Sequence, residues 1–378
     1  MKTVLIIIPF FKPNIGGVET RFNDICQYLA KNNYRVKVIT YQPITTTGVK
    51  GKSHEIDGNL EIFRLWWPGF DIFHKLGKFI VFQTFYTSSG ILVRTFFYLL
   101  FNSKKIDVIH AAGFNGALVA KVLNFFFRKR WIVSTHAIYG FKKKSLVAWF
   151  IRWIIKSAYK VICLSGDSKN ELINIGVPED KITIHITWVN QDLFKPHDKK
   201  DCRQKLSLED RFTVIFVGRF RKIKGILNLI KVAGDLKDIN FIFAGEGPEE
   251  QKLRQAASES KNIIHRGKVS NQDLPQYYNA ADVSIMPSLY EEPFGRVVIE
   301  SLSCGIPCIC SNLGGIVEHL DSAVCQLIYP GIEEIKKSIL EFYRNPDKLR
   351  QMSSGCRKFA EEKFSQNNMA SLIKGYGF

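Results

Sequence analysis

The chain opens with Val4-Leu-Ile-Ile-Ile8, five consecutive apolar residues of which four are β-branched. A run that is apolar on both faces suits a strand buried inside a parallel sheet. Pro9 to Ile15 then reads as a loop, and Gly16-Gly17-Val18-Glu19 opens a helix over Thr20 to Lys31. The same alternation continues. Strands are predicted at Arg35 to Tyr41, Val108 to His110, Trp131 to Ser134 and Lys160 to Leu164. Helices are predicted at Gly116 to Phe126, within Lys142 to Tyr159, and at Ser168 to Ile175; a long variable segment runs to about Asn102. It restarts at Phe212 to Gly218, with strands at Phe241 to Ala244 and Ile263 to Val269, a short helix at Leu274 to Ala281, and a strand at Val283 to Pro287. Alternating strands and helices predict an α/β fold of doubly wound, Rossmann-like parallel sheets, whose ligands bind beyond the carboxyl ends of the strands. Strand, glycine loop and helix bring backbone N–H groups to a phosphate. The loop at Gly16-Gly17 is not the G-x-G-x-x-G fingerprint, so a plain turn is the competing reading.

A chain of 378 residues has room for two domains, each with its own core. The net charge of +18 is unevenly placed: residues 1–190 hold 26 Lys and Arg against 11 Asp and Glu, whereas residues 191–378 hold 27 against 24. The basic first half could meet nucleic acid, an anionic membrane surface or an acidic substrate. Eight cysteines without framework spacing suggest a reducing compartment, and Cys304, Cys308 and Cys310 fall where small buried residues are wanted. Val4 to Ile8 is too short for a signal peptide and is followed by Pro-Phe-Phe-Lys-Pro instead of a cleavage site. The longest apolar run, Phe79 to Phe101, carries Arg94 near its middle. A half-buried helix pair or an interfacial segment is expected there, not a membrane span.

The second half is organised around Ser288 to Leu320, where Glu292 and Glu300 stand eight residues apart with Pro293-Phe294-Gly295 between them. Pro293 suits the first turn of a helix, so one is predicted from there through Ser303. Glu292 would precede it, Glu300 would lie two turns along, and the free N–H groups at its mouth would seat a phosphate. Two solvated glutamates on a surface helix are the plain alternative. Upstream, Gly218-Arg219 and Lys224-Gly225 place two cations just past a strand end, suited to a diphosphate. His136 ends a strand in Ser134-Thr135-His136, and His110 does so less prominently.

The stretch around the two glutamates resembles the signature of glycosyltransferase family 4, retaining nucleotide-sugar-dependent transferases of GT-B fold. Glu292, Phe294, Gly295, Glu300, Gly305, Pro307, Ser311, Gly314, Gly315 and Glu318 fall where that pattern wants them. The resemblance extends to Gly16-Gly17, to Gly218-Arg219 with Lys224-Gly225, to Gly267 at the base pocket, and to the Ser-x-His pattern of Ser134-Thr135-His136. At the link between domains it departs, with Trp188 in place of a glycine, so that Trp188 would cover part of the cleft.

This resemblance implies two Rossmann-like domains facing a cleft, an acceptor-binding domain over 1–190 and a nucleotide-sugar-binding domain over 191–364, with 365–378 crossing back to the first. His136, Arg219, Lys224 and Glu292 would be catalytic. Gly16, Gly17, Gly218, Gly267, Phe294, Gly295 and Glu300 would bind the donor, with Glu300 on the ribose. No Asp-x-Asp triplet occurs, so cations and no metal or cofactor would carry the diphosphate of a UDP- or GDP-sugar. Front-face attack with retention is what the resemblance implies, and no obvious second carboxylate stands as nucleophile. A glycan or polyprenyl-linked acceptor and an anionic membrane surface are the expected partners, with no nucleic acid, on the cytoplasmic side. A sugar-nucleotide epimerase and a non-catalytic basic adaptor remain alternatives. A phosphorylase would need a pyridoxal-anchoring lysine.

Overall fold

The computed structural model describes residues 1–14, 16–43, 49–68, 76, 79–143 and 145–378. Ile15, Lys144 and part of the aromatic segment from Trp66 to Phe101 lie outside the described residues.

The chain divides into two units, Met1–Ile186 with Asn368–Phe378, and Thr187–Asn367. The division falls before Thr187 instead of after Asn190 because the linking stretch packs within the second unit. There Arg357 Nη1 donates to the Phe194 carbonyl at 2.7 Å, and the Gln191 amide donates to Ala360 O at 2.8 Å.

In the first unit the apolar opening run forms β1 (Thr3–Ile7), with every residue buried. The other strands are β2 (Arg35–Tyr41), β3 (His54–Asp57), β4 (Leu60–Leu65), β5 (Val108–Ala112), β6 (Trp131–Ser134), β7 (Lys160–Cys163) and β8 (Ile182–Ile184). They form one sheet in the order β3-β4-β2-β1-β5-β6-β7-β8. All pairings are parallel except β3 with β4. β1 pairs with β2 on one side and β5 on the other, Ile6 facing Val38 and His110. The strand order reverses there, and the crevice at the carboxyl ends of β1 and β5 is where such a sheet takes ligands.

The variable segment after Tyr41 holds β3, β4 and a single 23-residue helix, Ile80–Asn102, where a helix pair or an interfacial segment was expected. No described helix is long and apolar enough to cross a membrane. Helix Ile80–Asn102 turns hydroxyls inward: Thr84, Thr87, Ser88 and Thr95 are buried. The Tyr41 hydroxyl donates to Thr87 O at 2.9 Å and accepts from the Ile91 N–H at 3.0 Å.

The second unit is built on β9 (Thr213–Val217), β10 (Asn240–Ala244), β11 (Ile263–Gly267), β12 (Val283–Met286), β13 (Cys308–Ser311) and β14 (Cys325–Ile328). Their order, β11-β10-β9-β12-β13-β14, is parallel throughout. Its reversal lies between β9 and β12, so the turns after Val217 and Met286 border the ligand crevice of this sheet. All eight cysteines are buried free thiols, with Cys308 and Cys310 inside β13 and Cys325 beside them on β14. Among the described residues no group of His, Cys, Asp and Glu is arranged to hold a metal ion.

Candidate functional site

The turn after β9 and the turn after β12 meet. Gly225 takes φ +71°, and a Cβ there would overlap the Pro287 carbonyl oxygen, so only glycine lets the two turns close this far. That approach brings Lys224 Nζ to Glu292 Oε1 at 2.6 Å. The Ser288 hydroxyl donates to the same carboxylate oxygen, and the Tyr290 ring lies 5.0 Å from the ammonium. Burial alone would depress the Lys224 pKa, but the Glu292 charge and the Tyr290 oxygen outweigh it and hold it above the usual lysine value. The ammonium is thus permanently charged. Arg219, exposed in the turn just after β9, supplies a second cation beside Gly218, whose N–H closes on Ala244 O at 3.0 Å.

The structure corrects the helix that was predicted to start at Pro293. It spans Arg296–Ser303, and Gly295 before it takes φ +47°. That left-handed residue cannot lie inside a right-handed helix, so the helix begins only after it. Glu292 instead forms a parallel bridge with Gly314, and its carbonyl accepts from the Gly315 N–H at 2.8 Å. Glu300 therefore falls in the second turn of the helix, not two turns beyond Pro293. Its Oε1 accepts from Arg296 Nε at 2.9 Å and its Oε2 from the Tyr278 hydroxyl at 3.1 Å. Burial and then the Glu300 charge push the Tyr278 phenol far up, so it stays a donor. Phe294 is buried between the His319 and Phe364 rings, and Gly267 closes the end of β11 by accepting the Gly245 N–H at 2.7 Å.

In the first unit the switch between β1 and β5 opens a pocket of about 260 Å³, bordered by Pro9, Phe10, Glu19, Gly113, His136 and Tyr139. Gly16 caps the helix Gly17–Lys31, accepting the Thr20 N–H at 3.0 Å, and Gly17 is exposed with open space where a Cβ would stand. His136 presents its ring edge-on to Phe22, the centroids 5.5 Å apart. Burial, then the Arg21 charge, then His110 hold its pKa well below the usual histidine value, so it is a neutral imidazole near pH 7. His110 is structural: its ring nitrogens engage Tyr376 Oη at 3.0 Å and Ser134 Oγ at 2.8 Å.

Ser288, Tyr290, Tyr278 and Arg296 are site residues that the sequence reading did not single out. Arg296 was detectable, standing four residues before Glu300 on one helix face. Tyr278 comes from a separate helix, Leu274–Ala280, and only tertiary packing brings it in.

Two family models divide the chain between them, Glycosyltransferase Family 4 over residues 15–192 and Glycosyl transferases group 1 over residues 198–359. The chain belongs to the family 4 glycosyltransferases. Among relatives of this glycosyltransferase is the Saccharomyces cerevisiae phosphatidylinositol N-acetylglucosaminyltransferase GPI3 subunit. It is 26% identical over 334 residues, 84% of this chain and 69% of the relative. The Streptococcus pneumoniae alpha-galactosylglucosyldiacylglycerol synthase is 29% identical over 217 residues, 53% of this chain and 56% of that protein. Among solved structures, Anabaena HepE in complex with UDP superposes with a TM-score of 0.77 at 20% identity, covering 99% of this chain and 98% of that one. The fold is GT-B.

Proposed function

We propose that this glycosyltransferase moves a hexosyl group from a UDP- or GDP-sugar, with retention of configuration and without a metal ion, to a lipid-linked acceptor or growing glycan. The observation that carries this is the Lys224–Glu292 pair at the switch point of the second sheet, with Arg219 beyond it. A cation fixed before the substrate arrives stabilises charge growing on a leaving diphosphate without reorganising, often the largest catalytic contribution. Arg219 and Lys224 would fill that role, where other transferases use a divalent ion.

Glu292 would bind sugar hydroxyls while keeping Lys224 in place. Glu300, oriented from both sides by Arg296 and Tyr278, suits the ribose. His136, being neutral, would orient the sugar by hydrogen bonding instead of by charge. Retention would follow from attack on the face the diphosphate leaves, with the departing phosphate taking the acceptor proton. HepE has been solved with UDP-glucose, which supports a UDP-sugar. The names of the yeast and pneumococcal relatives, which specify phosphatidylinositol and a diacylglycerol, support a lipid acceptor, and with it we place the protein peripherally on the inner face of a membrane.

The test is a screen of UDP-, GDP- and ADP-sugars for hydrolysis in EDTA, with Glu292→Ala alongside. Nucleotide release from one donor, lost in the variant and indifferent to EDTA, is the expected result. Dependence on added metal would overturn the metal-free reading, and interconversion of the sugar without nucleotide release would mark an epimerase.

A further inference from the structure

The first unit holds a second, larger cavity far from His136. It measures about 550 Å³ and takes in Arg128, Lys129, Arg130, Tyr159, Lys160 and Lys181. Arg130 and Lys160 lie directly before or at the start of β6 and β7, and Lys181 directly before β8. The cavity therefore opens at the amino ends of the strands, whereas His136 follows the carboxyl end of β6. The two sites stand a strand length apart, on the order of 15 Å.

Positive charge is in excess in this cavity. Asp180 is the single carboxylate among its lining residues against five cations. The hydrogen bonds of these cations go to main-chain carbonyls: Lys129 Nζ to Ile106 O at 2.9 Å, Lys181 Nζ to Lys156 O at 3.0 Å and Ala158 O at 3.1 Å, Lys160 Nζ to Asp180 O, and Arg130 to Gly377 O. A carbonyl orients an ammonium but does not cancel its charge. A phosphate would, and the fixed groups around this cavity are arranged to take one.

Three helices end at the same edge, Ile80–Asn102, Gly113–Phe127 and Leu146–Ile155, and their outer faces are aromatic. Phe101 is 83% exposed, Phe125 82% and Trp149 64%; Phe97 and Trp153 are exposed as well, and Phe82 is exposed near the start of Ile80–Asn102. Helix Ile80–Asn102 buries Thr84, Thr87 and Thr95 together with Ile91 and Leu99 and leaves Phe82, Phe85, Phe97 and Phe101 exposed, which is costly in water and favourable against acyl chains. The aromatic face adjoins the cavity through Lys121. Its Nζ lies 4.4 Å from the Trp153 ring centroid and 3.4 Å from Ser157 Oγ, and Ser157 lines the cavity. Aromatic rings with cations at their border match the chemistry of an anionic bilayer surface.

We propose that this cavity is a headgroup site for the phosphate of an anionic phospholipid, occupied when the aromatic face of the three helices rests on the membrane. It shares no lining residue with the pocket beside His136. The proposal deepens the membrane-surface part of the function given above and does not depend on glycosyl transfer.

The experiment is co-sedimentation of the full chain with phosphatidylcholine vesicles, with and without about 30 mol % phosphatidylglycerol. Binding is expected only with the anionic lipid, and Arg128→Gln with Lys160→Gln should weaken it about tenfold or more. Lys261→Gln with Lys337→Gln, two exposed lysines of the second unit, removes the same charge and should change it less than threefold. An equal loss in both pairs would make the binding a matter of bulk charge and overturn the cavity. Phe125→Ser with Trp149→Ser, on exposed positions, should also lose binding; full retention would overturn the aromatic face. Absent vesicle binding, with inorganic phosphate raising the melting temperature of the wild type but not of the Arg128/Lys160 variant, would mark a soluble-anion site instead. Sugar-nucleotide hydrolysis should persist in every one of these variants, so its failure and that of lipid binding are read independently.

Discussion

Lys224 and Glu292, 68 residues apart in sequence, meet at 2.6 Å between Nζ and Oε1. The carboxylate lies on an extended bridge to Gly314 and the ammonium just before the tight Gly225, so the pair is fixed by backbone at both ends. A preset cation of this kind is expected to act mainly on the chemical step. Lys224→Met should lower kcat for nucleotide release by roughly 10²–10³, with a much smaller change in KM. Lys224→Arg should recover only part, because a planar guanidinium does not occupy the place of a point ammonium. Steady-state kinetics at saturating donor reads both, and an unchanged kcat in Lys224→Met would remove this residue from catalysis.

Two glycines that look alike in sequence should respond oppositely. Gly225→Ala forces a side chain onto the Pro287 carbonyl in a left-handed conformation, which should cost several kcal/mol and separate Lys224 from Glu292. Gly17 has open space where a methyl group would stand and begins a helix, where alanine gains up to about 1 kcal/mol. Denaturant titration should show the first variant destabilised and the second neutral or better. Any loss of turnover in Gly17→Ala then reports contact with substrate, since the fold is not harmed.

Acid should unfold the first unit by a route that the histidines set. Burial, with the Arg21 charge second, lowers His110 and His185 to about 3. In the unfolded chain both titrate at about 6.5. Below that value the unfolded state binds protons that the folded state refuses, so stability falls as pH drops from about 6.5 toward 3. The slope is about 1.4 kcal/mol per pH unit for each histidine, or roughly 4 kcal/mol for the two at pH 5. Urea unfolding at pH 7.5 and 5.0 measures it. His110→Gln should lower the absolute stability yet lose about 2 kcal/mol less between the two pH values, and an unaltered pH slope would rule this account out.

How much could be read without the structure depended on whether a signal was local. Val4 to Ile8 announced a fully buried strand because nothing in it can face water, and β1 is buried at every residue. Lys224 stood out through the short motif Lys224-Gly225, whose residues alone would equally suit a surface basic cluster. The strands β3 and β4 were not: His54-Glu-Ile-Asp57 carries almost no apolar signal, and its place at the edge of the sheet comes from pairing with β4. Phe79 to Phe101 was read only coarsely because its inward side mixes Thr84, Thr87 and Thr95 with Ile91 and Leu99, so hydropathy alone does not tell which side faces the core. Pro293 misled because the bridge between Glu292 and Gly314 on one side and the left-handed Gly295 on the other keep the helix from starting at a residue that locally permits one.

Glu300 should behave differently from Glu292 although both belong to one motif. Its carboxylate is held by Arg296 Nε at 2.9 Å and the Tyr278 hydroxyl at 3.1 Å, whereas Glu292 is the residue that fixes Lys224, so the effect of Glu300 is expected on binding. A charged acceptor of ribose hydroxyls contributes about 1.5–3 kcal/mol, which makes Glu300→Gln a rise of at least tenfold in donor KM with kcat within threefold. Tyr278→Phe leaves the charge and removes one orienting donor, so a rise of about fivefold is expected. A deoxyribose form of the donor separates the roles. It should bind wild type and Glu300→Gln almost equally, because the hydroxyl that the carboxylate would accept from is already gone. If the deoxy donor still distinguished the two proteins by tenfold, Glu300 would be acting through the packing of its helix and not through the ribose.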